Sequence, residues 1–221
     1  SAVLTAAVGV SPNNANVIAG SSMVKVGSFN FTTQYSGFTV DKIKVKILAN
    51  TATSINSVTL KYTDTNGVTQ SSAQSLAISS GSQTHATSTF TGLSFYIPSG
   101  TTKILDVYVN LSTIQNDGDS GKVVTVTLDV NEGFNATDSS GTTKTLLANS
   151  DLASNATDGK GTMYVRKSVP TLSAVALDSS TLTAGTNKTL SRVKISADVA
   201  GDISWDKIVF TVNKTASLTL G

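Results

Sequence analysis

Two stretches of this chain are written to nearly one pattern, and a fold must accommodate both. Gly37-Phe-Thr-Val-Asp-Lys-Ile-Lys-Val-Lys-Ile47 returns near the end as Gly201-Asp-Ile-Ser-Trp-Asp-Lys-Ile-Val-Phe-Thr-Val212. Each carries Asp-Lys-Ile, at Asp41-Lys42-Ile43 and Asp206-Lys207-Ile208, followed by strict alternation. A period of two predicts a strand buried on one face, with Ile43, Val45 and Ile47, or Ile208, Phe210 and Val212, turned inward. The correspondence extends upstream: Leu4-Thr-Ala-Ala-Val matches Leu172-Ser-Ala-Val-Ala, Ala19-Gly20 matches Ala184-Gly185, and Phe29 and Phe31 match Val193 and Ile195. An offset of about 165 residues is too long for a solenoid unit and suits a whole domain repeated in tandem.

The expected organisation is therefore a complete domain over residues 1–168 and the opening portion of a second over 169–221, with Val169-Pro170 at the junction. About fifty residues holding three or four strands cannot close a sandwich alone. Completion is expected either from chain beyond Gly221 or from strands of a neighbouring subunit added by β-augmentation.

Composition agrees with an all-β chain. Ser and Thr supply 64 of the 221 residues, with 17 Gly and only 14% charged residues, and Ala, Leu, Glu and Lys never cluster as a long helix requires. Alternation marks further strands at Leu105, Val107, Val109 and Leu111, and at Val124, Val126, Leu128 and Val130. Asn66-Gly67 between two strand-like runs is the strongest hairpin signal. Residues 135–141 read as a turn, and 145–161 as the least regular segment. No apolar run is long enough to span a membrane.

The same inventory argues against most chemistry. Sixteen basic and 14 acidic residues, thinly spread, give a net charge of +2 and none of the clustered basic surface that nucleic acid requires. Cysteine is absent, so disulfides, thiolate metal sites and cysteine nucleophiles are absent too. His85 is the only histidine, expected as a solvent-facing strand residue, and no phosphate-loop, zinc-protease or nucleophile-elbow motif occurs. No catalytic residue, no cofactor and no enzymatic activity are expected. The one metal candidate is the polar loop holding Asn116, Asp117 and Asp119, with Asp129 or Glu132 near it; short Asp/Asn/Gly loops supply the oxygen ligands calcium takes, although the spacing is not that of an EF-hand. A plain solvated turn is the competing reading.

Six Asn-x-Ser/Thr sequons, at Asn30, Asn110, Asn135, Asn155, Asn187 and Asn213, are no excess in so Ser/Thr-rich a chain; Asn135 and Asn155 are expected in loops and Asn110 within a strand. Trp205 with Tyr35, Tyr62, Tyr96, Tyr108 and Tyr164 would make a sugar-stacking platform only if several shared an exposed face; core or inter-domain packing is the plainer role. Lys42, Lys44 and Lys46 read as a solvated or edge-protecting face.

Two segments, Met163-Tyr-Val-Arg-Lys-Ser-Val-Pro-Thr-Leu172 and Gly92-Leu-Ser-Phe-Tyr-Ile-Pro-Ser-Gly-Thr-Thr-Lys103, resemble the tandem Ig-like repeats of bacterial surface proteins. The resemblance implies an Ig-like antiparallel β-sandwich followed by a partial second β-sandwich repeat, secreted or held at the cell surface, and brings no catalytic or binding residue with it. The expected function is a structural subunit of an extracellular assembly, an S-layer lattice or a filament, whose partner is the chain itself. The alternative is a carbohydrate-binding or adhesive module whose partner is a cell-surface glycan.

Overall fold

A computed structural model describes residues 1–77, 85–114, 120–129, 132–145, 147, 159–179, 181 and 185–213. The chain divides into two compact units, Ser1–Lys167 and Ser168–Gly221, one residue earlier than the sequence boundary. The fold is all-β, with one four-residue helical turn at Ala49–Ala52 among the described residues.

Unit 1 is a β-sandwich. Its first sheet takes β1 (Val3–Val8), β3 (Val24–Gln34), β9 (Thr102–Leu111), β5 (Ile55–Thr63) and β6 (Thr69–Gln74) in that order, all antiparallel. The second sheet is built around the eleven-residue β4 (Phe38–Leu48). One edge of β4 takes β7 (His85–Phe90) and β8 (Phe95–Ile97); the other takes β11 (Val126–Asp129) and β12 (Asn135–Asp138), and β13 (Thr143–Lys144) follows β12. A smaller sheet joins β10 (Val123–Val124), β14 (Met163–Arg166) and β2 (Ala15–Ile18), in which β2 and β14 run parallel.

The core lies between the two main sheets. Alternation puts Phe29, Phe31, Leu60, Leu105, Val107 and Val109 on the inner face of the first, and Val40, Ile43, Val45, Ile47, Phe90, Phe95 and Ile97 on the inner face of the second, all buried. Phe31 meets Phe95 across the gap edge to face at 5.5 Å and stacks on Phe134 at 6.3 Å, while Tyr62 reaches Phe95 at 5.7 Å.

Within β4 the buried positions change phase, from Phe38 and Val40 to Ile43, Val45 and Ile47. The cause is a β-bulge: Asn135 pairs with Lys42 and Ala136 with Val40, leaving Asp41 as the extra residue. Asp41 offers its carbonyl to the Leu93 amide at 2.9 Å, so the bulge also anchors the chain between β7 and β8. The first Asp-Lys-Ile motif is thus a bulge that keeps both halves of a long strand facing one core.

Several sequence expectations change here. Residues 85–97 are divided at Gly92, whose φ of +70° suits a glycine turn, and both pieces pair with β4. Residues 135–138, read as turn, form β12. The Asn66-Gly67 hairpin appears as expected, with Gly67 at φ +76° and Asp64 accepting the amides of Asn66 and Val68 and the Gln70 side chain. Those bonds, led by Val68 and Gln70, hold the Asp64 carboxyl below its ordinary range.

In unit 2 the described residues carry one antiparallel pair, β15 (Thr171–Ala174) with β16 (Val193–Ser196). This ladder ends as the β1–β3 ladder does. Gly9 donates to the Ser28 carbonyl after the Val8–Phe29 pair, and Val175 donates to the Arg192 carbonyl after the Ala174–Val193 pair. Matching the ladder ends sets Leu172 against Ala6 rather than Leu4, an even shift that preserves the faces. A non-glycine residue of positive φ, Met23 at 53° or Asn187 at 56°, stands six residues before Phe29 or Val193.

The third expected strand of unit 2 differs. Residues 201–213 have no ladder partner, and Ile208, Phe210 and Val212 are 42%, 64% and 52% exposed where Ile43, Val45 and Ile47 are buried. A strand is defined by its neighbours' hydrogen bonds, and among the described residues none pairs with this segment.

Candidate assembly surfaces

The acidic loop named as a calcium candidate, Asn116, Asp117 and Asp119, lies outside the described residues. Its two proposed helpers have another task. Asp129, at the end of β11 and 5% exposed, sits between Lys44 and Lys46 of β4, each ammonium 3.2 Å from its Oδ2; Glu132, largely exposed, reaches Lys44 at 3.7 Å. Burial opposes ionisation of Asp129. Hydrogen bonds from the Lys44 ammonium and the Glu132 amide, together with Lys46, outweigh it and hold the carboxyl below its ordinary range. A carboxylate clasped by two ammoniums is an electrostatic lock rather than a cation ligand. Among the described residues, no group of three or more His, Asp or Glu is placed to hold a metal.

This cluster corrects the reading of the lysines as edge protection. β4 is the centre of its sheet, and Lys44 and Lys46 point to its outer face, where Asp129 meets both and Glu132 meets Lys44. Gly133 lies so close to Lys44 that a Cβ there would overlap the lysine's own Cβ. Gly133→Ala is accordingly expected to cost about 1–3 kcal/mol, read by urea denaturation, because the neighbour to be displaced is the root of the lysine side chain rather than its mobile end.

The remaining candidates disperse. His85 opens β7 opposite Leu48, and nothing further is described of its side chain. Tyr62 is core; Tyr108 lies on β9 beneath the Lys61 ammonium at 4.9 Å; Tyr164 lies on β14 beside Arg166, and Tyr96 on β8 beside Gly37. These rings sit on different strands and make no shared platform. Trp205 is 60% exposed in unit 2, and its counterpart Val40 is fully buried, brought to the Ile43 face by the bulge.

The sequons are also sorted by the fold. Asn110 accepts from the Met23 amide and donates to Ser57, and the Oδ1 of Asn135 is buried at the bulge. Asn135 is therefore not the accessible loop site expected of it. Asn187 and Asn213 are exposed, and Asn155 lies outside the described residues.

A shallow groove of about 390 Å³ runs between Ser1, Phe38 and Lys144 and includes Asp138. Asp138 is committed to its own turn, accepting the Ser140 hydroxyl at 2.7 Å and the Thr142 amide at 2.8 Å, which lower its pKa in that order. Among the described residues, the carboxyls displaced from their ordinary range are Asp64, Asp129 and Asp138, and each is bonded within a turn or an ion cluster.

Two surface features remain, the sheet edges and the exposed apolar residues. The first sheet ends on β1, Val-Leu-Thr-Ala-Ala-Val, and β6, Thr-Gln-Ser-Ser-Ala-Gln, and neither edge strand carries a charge or a proline. These are the devices by which sheets ordinarily discourage strand addition. The second feature is apolar exposure: among the described residues, ten of the sixteen exposed large hydrophobic residues lie in unit 2, including Leu172, Val193, Trp205 and Phe210.

No protein-family model matches the chain, and no curated protein does. Among solved structures, a chain of the CaDoc0917–CaCohA2 complex is similar, with 16% identity, a TM-score of 0.30, and coverage of 74% of this chain and 99% of that one.

Proposed function

We propose that this protein is a structural subunit of an extracellular cell-surface assembly, an S-layer lattice or a filament, and that it works by contact rather than catalysis. One observation carries the reading. Among the described residues, the first sheet of unit 1 ends on two strands, β1 and β6, that carry no charge and no proline. Edges of this composition favour continuation of the sheet from one copy to the next. The three displaced carboxyls, each spent on a turn or an ion cluster, are consistent with a framework role.

The test is negative-stain electron microscopy of the concentrated chain, with calcium and with chelator. Ordered sheets or filaments are expected. Dispersed particles in both conditions sink the proposal, and order only with calcium would return the 115–121 loop to attention as the metal site.

A further inference from the structure

We propose that the parallel pair of β2 with β14 is a tension clasp, which keeps unit 1 folded when the chain is pulled lengthwise between a point upstream of β2 and the junction with unit 2; this rests on the structural-subunit reading and gives the subunit a mechanical task. Among the described residues every other ladder is antiparallel. This one pairs Ala15 with Met163 and Ile18 with Arg166. Tension from upstream enters β2 at Ala15, and tension from unit 2 enters β14 at Arg166. Those are opposite ends of one ladder, so the strands must slide past each other and the cross-strand hydrogen bonds bear the pull together. An antiparallel pair in its place would set both pulled ends side by side and open one bond at a time.

The clasp is braced where the force arrives. At one end the Ala15 amide donates to the Thr162 carbonyl at 3.1 Å and the Thr162 amide to the Asn14 Oδ1 at 2.9 Å. At the other the Ala19 amide donates to the Arg166 carbonyl at 2.9 Å, and the Arg166 Nε reaches back to the Asn16 Oδ1 at 3.2 Å. The second edge of β14 is held by β10, and Val165 accepts from the Gly121 amide at 2.7 Å and donates to the Lys122 carbonyl at 2.8 Å. Met163 and Val165 are buried, so sliding also draws two apolar side chains out of the core. β1 is loaded in the same sense. Val3 lies beside Gln34, at the end of β3 from which the chain turns into Phe38 of β4, whereas β10 immediately precedes β11, which meets the far half of β4 at Lys44–Ile47. The two points of attachment stand at opposite ends of the sandwich, and the pull runs along the strands.

Forced unfolding reads the barrier to unfolding, so the direction of pull is the test. The 221-residue chain has no cysteine, and pairs of introduced thiols therefore set that direction in an optical trap. Ser1→Cys with Lys167→Cys loads the clasp lengthwise; Ser22→Cys with Lys167→Cys pulls from the Arg166 end of the ladder on both sides and peels it, and all three positions are exposed. The lengthwise unfolding force should be several-fold the higher. Asn14→Ala with Asn16→Ala, which removes both side-chain braces, should lower the lengthwise force more than the peeling force. The thermal transition of unit 1 is the folding control for every variant, and Pro170→Cys takes the place of Lys167→Cys if the latter lowers it. Equal forces in the two directions overturn the proposal, as does a double variant that weakens both alike. Ordered assemblies from a chain with no directional difference would leave the structural-subunit reading standing and sink the clasp; a directional difference in a chain that never assembles would keep the clasp and sink that reading.

Discussion

Phe31→Ala should lower the unfolding free energy of unit 1 by about 3–5 kcal/mol, the largest effect expected of any single truncation in this chain. Phe31 has no exposed surface, and its ring touches both layers of the sandwich, edge to face with Phe95 of β8 and stacked on Phe134 before β12. Truncation removes the transfer free energy of the ring and leaves a cavity that the flanking β1 and β9 ladders prevent from closing. The two aromatic contacts are lost with it, each contributing roughly 0.5–1.5 kcal/mol beyond burial. Guanidinium or urea denaturation followed by tyrosine fluorescence measures the change. A loss under about 1.5 kcal/mol would mean that the two sheets do not meet through this residue. Phe210→Ala in unit 2 should by contrast leave the folding of the isolated chain almost unchanged, because that ring is already in solvent.

Asp129→Asn ranks second, at about 2–4 kcal/mol. The carboxylate is almost wholly buried, while Lys44 and Lys46 keep 20% and 33% of their side-chain surface exposed. Replacing it with a neutral amide leaves two ammoniums facing each other over the β4–β11 ladder. Their partial hydration limits the cost to less than that of a fully buried pair. The effect should depend on pH. The folded carboxyl titrates below the ordinary aspartate value of 3.8, so the unfolded state takes up its proton first as the pH falls. The cluster's contribution is therefore fully present above that value and fades as the pH drops through the folded pKa. Below about pH 4 the wild-type chain should lose stability more steeply than Asp129→Asn, and the two urea midpoints should converge. Parallel midpoints down to the acid transition would show that Asp129 is not ionised in the folded state.

How far the fold was legible can be followed residue by residue. Ile43, Val45 and Ile47, and Leu105, Val107, Val109 and Leu111, were assigned inward by alternation and are buried, because a strand with one dry face writes its geometry directly into the sequence. The Asn66-Gly67 turn was equally plain, since few residue pairs adopt its backbone angles. Local pattern failed wherever the decision belonged to a distant partner. Residues 135–138 look like a turn, with Asn, Thr and Asp, and become β12 because Val40, Thr39 and Phe38 offer open ladder positions. Strand β2 exists only by pairing in parallel with β14 nearly 150 residues later.

The site reading divides along the same line. Asp129 and Glu132 carry oxygens and invite a metal when read in sequence; what turns them into an ion lock is the register that sets Asp129 opposite Lys44 and next to Lys46. Nothing local to residues 129–132 encodes that encounter. Trp205 was similar: its face depended on whether a bulge intervenes at Asp-Lys, and only the pairing of Asn135 with Lys42 and of Ala136 with Val40 resolved it in the first copy.

By itself the sequence determined the class of the fold, the inward faces of its longest strands and the recurrence of one strand pattern about 165 residues apart, because side-chain periodicity and turn chemistry are local properties. Only the tertiary structure decided that β4 is a central strand bent by a bulge and that its lysines enclose a buried carboxylate. Each of these is a relation between segments far apart in the chain, and a ladder's register or an ion pair has no existence until both partners are in place.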